Sequence, residues 1–142
     1  MVMVGRLSKD EAGVALGLAI VLVVVIGVMG AGLLTLIIAD LQAMAEANRG
    51  QQAFEMAEAG IEVAKARLAD TPDLAEWSSG ELRVEGVEEG SVLVFVERQD
   101  SEDARFVATS IGQYSSARRK IEATFDVANG EPRLLTWREV YV

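Results

Sequence analysis

The sequence predicts an α+β protein in which one long N-terminal helix continues into a small antiparallel β-sheet head. Three observations carry that expectation. Residues 12–39 are uncharged and almost wholly apolar, the apolar positions after them recur every three or four residues, and from Glu81 the period falls to two. Composition points the same way. The 142 residues are 51% hydrophobic with a mean hydropathy of +0.25, yet the net charge is −9. Apolar and acidic residues must therefore occupy different stretches. In residues 1–39 the charges Arg6, Lys9, Asp10 and Glu11 cancel, residues 40–71 carry net −3, and residues 72–142 carry net −6.

Several function classes fall away at once. With no Cys, the chain has no disulfide, thiolate metal site or Cys nucleophile; with no His, it lacks the usual triad base and imidazole ligands. The acidic total argues against a general nucleic-acid binder, because phosphates are repelled over most of the surface.

The first element is the uncharged run, in which Thr35 is the one clearly polar residue. Crossing a bilayer core takes about 20 apolar residues, so this run is long enough to span. It is too long for the h-region of an ordinary secretory signal, and a buried core helix of this length would need more protein to wrap it. Arg6 and Lys9 precede the run, and the next base is Arg49, which favours a cytoplasmic N-terminus and an acidic head outside the cytoplasm. Gly13 with Gly17, and Gly27 with Ala31, have the small-xxx-small spacing that lets helix backbones approach in lipid; Gly is also common in such helices without that role.

The second element continues the helix. Ala43, Ala47, Gly50, Phe54, Ala57, Ile61, Ala64 and Leu68 follow one another at alternating spacings of 4 and 3, an apolar stripe along one helix face. Most of its members are too small for a coiled-coil seam. They suit close packing on a sheet or on neighbouring helices, and Phe54, Ala57, Ile61, Ala64 and Leu68 are the expected helix–sheet contacts. Pro72 terminates a helix of about 58 residues, about 87 Å long.

The remaining elements are strands. Residues 81–85 (ELRVE), 91–98 (SVLVFVER), 105–111 (RFVATSI), 120–127 (KIEATFDV) and 133–142 (RLLTWREVYV) are β-rich runs, and Asn129-Gly130 is a strong hairpin dipeptide. Short connections favour an antiparallel sheet with one face on the helix. Trp77 and Trp137 suit that packing.

Chemistry is sparse in the head. The acidic clusters Glu88-Glu89 and Asp100 with Glu102-Asp103 fall in turns without an EF-hand pattern, and no nucleophile has a visible base. No catalytic residue, metal site or cofactor is expected. Arg118-Arg119-Lys120 is the one basic triplet, which keeps contact with a phosphate backbone or an anionic lipid open.

The order of these features carries a resemblance. A short polar leader ending at Gly13, the opening Val14-Ala15-Leu16-Gly17-Leu18, and the later Ala53-Phe54-Glu55-Met56-Ala57-Glu58-Ala59-Gly60 resemble the type IV pilin and pseudopilin superfamily. Within it, the chain looks most like the PilX-type minor pilins and the K-type tip pseudopilins. The resemblance spans roughly residues 5–68; beyond Pro72 it rests on β-rich architecture alone.

The resemblance implies a prepilin-type leader over residues 1–13, a membrane and filament-core helix over 14–39, a helix extension over 40–71 and a β-rich head over 72–142. It implies cleavage between Gly13 and Val14 by a prepilin peptidase, N-methylation of the new terminus, and filament packing through Gly17, Leu18, Gly27 and Ala31. Major pilins usually carry Glu at the fifth mature position, where this chain has Leu18. The departure resembles the tip pseudopilins and implies a minor subunit that initiates or caps a pilus-like filament. Implied partners are other pilins or pseudopilins, the peptidase, the pilus assembly platform and membrane lipid before assembly. A membrane-anchored or filament-tip binding module for surface adhesion or DNA uptake, contacting its ligand through Arg118, Arg119 and Lys120, and a type II secretion pseudopilin stay open as alternatives.

Overall fold

The computed structural model describes residues 7–83, 87, 89–99 and 104–141, with side chains from residue 13 onward. Helix α1 runs Leu7–Asp70. No proline interrupts it, and the last turn closes where the Thr71 amide donates to the Arg67 carbonyl at 3.0 Å, just before Pro72 bars continuation. Exposed pairs one turn apart line its outer surface: Glu46–Arg49 at 3.3 Å, Gln51–Glu55 at 3.2 Å and Glu62–Lys65 at 3.7 Å. Each adds only tenths of a kcal/mol, about 0.2–0.5.

The chain divides into two compact units, one ending at Met44 and the other running from Ala45 to Val142. In the first, the large apolar side chains from Val14 to Met44 are exposed, and the helix is long and apolar enough to cross a membrane. Thr35 fits this stretch because its hydroxyl donates to the carbonyls of Ala31, at 2.8 Å, and Gly32, at 3.1 Å. The polar group is satisfied within its own helix.

The second unit holds a five-stranded antiparallel sheet in sequence order: β1 (Glu76–Arg83), β2 (Gly90–Arg98), β3 (Arg105–Tyr114), β4 (Ala117–Ala128) and β5 (Glu131–Val140). The fold is α+β, a long apolar helix followed by an antiparallel sheet. Asn129 (φ 57°) and Gly130 (φ 83°) form the two-residue β4–β5 turn, both in the left-handed region a type I′ hairpin demands.

All five strands overrun their expected bounds at one end or both, β4 (Ala117–Ala128) by taking in Arg118 and Arg119. Strand β1 begins at Glu76, through a Ser-Ser-Gly segment that reads as a turn. A bulge between Ser78 and Glu81 absorbs it, and the Ser79 hydroxyl accepts the Val94 amide at 3.0 Å in place of a ladder carbonyl. Strand β3 continues through Gly112 to Tyr114, leaving only Ser115-Ser116 as the turn to β4. Strand β5 is also bulged, with Leu135 unmatched between Thr124 and Phe125. Glu85 and Val142, at the ends of two expected strands, lie outside the described residues.

One face of the sheet packs on α1. Val92, Val94, Val96, Phe106, Ala108, Ile121, Ala123, Phe125 and Val127 join Ala57, Ile61, Ala64 and Leu68 in a single core. Burying a Phe or Leu side chain there contributes about 1.5–3 kcal/mol. Trp77 packs at the margin under the Arg67 guanidinium, 5.7 Å from its ring centroid.

Candidate functional site

The helix stripe seats on the sheet from Gly50 onward; Ala43 and Ala47 are exposed. Ala53, Met56, Ala57, Gly60, Ile61, Ala64 and Leu68 are buried, and Phe54 is half-buried. Small residues in this segment answer a specific geometry. A Cβ on Gly112 would overlap the Ala53 carbonyl and the Ala57 amide, so helix and strand backbones touch there. A Cβ on Gly60 would overlap the Ser110 hydroxyl and come within 2.7 Å of a Val92 methyl. Within the Ala57-Glu58-Ala59-Gly60 stretch, Ala57 and Gly60 therefore face the sheet, while Glu58 and Ala59 are exposed. Sequence reasoning passed over Gly112 and Ser110. Gly in a strand interior was the available signal, because it often marks close backbone approach.

Strand alternation divides the basic triplet. Arg119 lies on the helix side, paired with Glu139 at 3.1 Å and resting over Gly50, where a Cβ would meet its Nη2 at 3.0 Å. Arg118 and Lys120 lie on the opposite face. Arg118 donates to the Gln113 side chain at 3.0 Å. Lys120 pairs with Glu122 at 2.9 Å, and Arg138 of β5 reaches the same carboxylate at 2.6 Å. The Lys120 hydrogen bond first, then that of Arg138, holds the Glu122 carboxyl below its ordinary pKa. Two of the three bases thus have a carboxylate partner.

An open groove of about 410 Å³ is walled by Gly50 and Phe54 of α1, Arg119 of β4, Glu139 of β5 and Tyr141. Phe54 meets Trp137 edge to face, with centroids 5.9 Å apart. Among the described residues, no group of three or more acidic side chains is placed to hold a metal ion. The acidic residues Glu88, Asp100, Glu102 and Asp103 lie outside the described residues, as do Met1–Arg6 of the expected leader.

Gly13 and Val14 are helical and exposed. A Cβ at Gly13, Gly17 or Gly27 would meet nothing within 4 Å, Leu18 is 64% exposed, and Ala31 is exposed as well. Comparison with protein-family models, curated proteins and solved structures finds no match to this chain.

Proposed function

We propose that the protein is a minor type IV pilin-like structural subunit, cleaved by a prepilin peptidase between Gly13 and Val14, that helps to initiate or cap a pilus-like filament. One observation carries this reading. A single helix offers an uncharged, exposed apolar stretch from Val14 to Ala39 and then, from Gly50, seats on an acidic antiparallel sheet. The exposed stretch is suited first to lipid and then to lateral packing against like helices, for which Gly17, Leu18, Gly27 and Ala31 offer close approach. The sheet is then displayed outward. Leu18 removes the buried carboxylate that a repeating subunit would pair with a neighbour's terminal amine, which favours an end position.

N-terminal sequencing of the membrane-fraction protein, from cells with an active prepilin peptidase, tests this. The mature chain should begin at Val14 and carry an N-methyl group. An intact terminus upstream of Gly13 overturns the assignment.

A further inference from the structure

The open groove beside Gly50 has two chemically different sides. Ala47, Gly50 and Phe54, three and four residues apart on one face of α1, make the apolar side. Gln51, Arg119 and Glu139 make the polar side, and Tyr141 stands at the margin, 86% exposed. Because Ala47 and Gly50 are small, the groove keeps about 410 Å³ of room, enough for a small molecule. Its lining suits a polar group with an apolar body attached.

The polar side pairs a cation with an anion and leaves bonds to be made on both. Arg119 donates through Nη1 to one oxygen of Glu139 at 3.1 Å; among the described residues its Nε and Nη2 have no hydrogen-bond partner. Gln51 donates its Nε2 to Glu55 at 3.2 Å. Its carbonyl oxygen and the second Glu139 oxygen are therefore acceptors. The ion pair is in reach of solvent, with side chains 38% and 28% exposed. Its charges sum to zero, so the groove matches a ligand that carries one charge of each sign.

The groove lies at the end of the sheet that α1 reaches first, where Gly50 rests against Arg119. Both tyrosines of the chain are at this end. Tyr114 pairs with Gly90 and Ala117, and Tyr141 follows Val140, the partner of Lys120. Tyrosine gathers at membrane–water boundaries, where ring and hydroxyl are both satisfied. In sequence, only residues 40–46 separate Ala47 from the uncharged run.

We propose that this groove holds the head group of phosphatidylethanolamine. The phosphate sits on Nε and Nη2 of Arg119, and the ammonium, with three N–H donors, on Glu139 and Gln51. The glycerol end lies toward Ala47. A choline head group has no N–H to donate, and phosphatidylglycerol has no cation for Glu139. Binding needs the apolar stretch to lie in lipid, but neither cleavage at Gly13 nor a filament. Lipid binding and N-terminal processing therefore fail independently.

Full-length protein is reconstituted in vesicles holding equal parts of phosphatidylethanolamine, phosphatidylcholine and phosphatidylglycerol. Native mass spectrometry of the released protein then identifies bound lipid by its mass. One phosphatidylethanolamine per chain is expected, favoured over phosphatidylcholine by about tenfold or more, the effect of one charge-assisted hydrogen bond. Glu139→Gln should remove that preference. So should Ala47→Leu, which fills the groove from an exposed helix position and leaves the ion pair intact. Arg133→Ala, at the far end of β5, should keep it. Equal retention of the three lipids, a preference for phosphatidylglycerol, or an undiminished preference in Ala47→Leu overturns the assignment. Variants are compared at matching circular dichroism, and if Glu139→Gln misfolds, Ala47→Leu decides alone.

Discussion

Gly60 of the helix lies so close against Ser110 of β3 that a β-carbon on the glycine would overlap the serine hydroxyl. The hydroxyl is fully buried and has no hydrogen-bond partner among the described residues. A small polar side chain here fills the gap left by a missing one across the interface.

Gly60→Ala should therefore destabilise the head by about 1–3 kcal/mol through overpacking. Ser110→Gly in the same background should recover part of the loss by freeing the space. Urea unfolding of the four members of this cycle, followed by circular dichroism, checks the coupling; strictly additive losses would contradict the contact.

Ser110→Ala alone should leave the protein at least as stable, with a gain of about 1 kcal/mol, because it removes a buried hydroxyl that forms no hydrogen bond. A lower urea midpoint would show that the hydroxyl has a partner.

Gly112→Ala should be more severe than Gly60→Ala. The added methyl meets main chain, the Ala53 carbonyl and the Ala57 amide, and main chain cannot change rotamer to make room. A loss of about 3 kcal/mol or more, or failure to fold, is expected.

Glu122 should shape the acid limb of stability. Its carboxyl is held below the ordinary value by Lys120 and then Arg138. Its contribution is thus complete above the usual carboxylate pKa of about 4.3 and is lost as pH falls through the lowered folded-state value. Glu122→Gln should cost up to about 1 kcal/mol at neutral pH, discounted because Arg138 is largely exposed, and should flatten the acid limb. Thermal melts from pH 7 to pH 3 test this, and an unchanged slope would refute it.

Phe54→Ala removes the edge-to-face partner of Trp137. A loss of about 2 kcal/mol is expected, less than for a fully buried Phe. In a Trp77→Phe background, Trp137 emission should shift to the red. No shift would mean that Trp137 is held by other contacts.

The sequence made the α+β class legible because its two periodicities are strong and separate. The apolar run has no charge to interrupt it, and the strand runs alternate over several residues each. The strands pass the expected bounds at Ser78-Ser79-Gly80 and at Gly112 for different reasons. In the first, a bulge with a serine hydroxyl in the ladder carries a turn-like segment through a strand. In the second, a glycine that reads as a breaker sits mid-strand because the helix backbone rests on it. The site residues were legible only in part. Spacing can group Arg118, Arg119 and Lys120, but alternation divides neighbours in a strand, and the partners Glu139 and Glu122 become visible only once register is known.

The bulges in β1 and β5 reach beyond the strands that carry them. Both borders of the sheet are ragged, and Pro132 withholds one more amide from the outer rim. Unpaired strand borders are where crowded copies template one another into aggregates. In the proposed filament, chains held side by side through their apolar helices would be crowded permanently, and heads with straight rims would zip into a continuous ribbon. Broken rims would keep each head in such an array a discrete folded body.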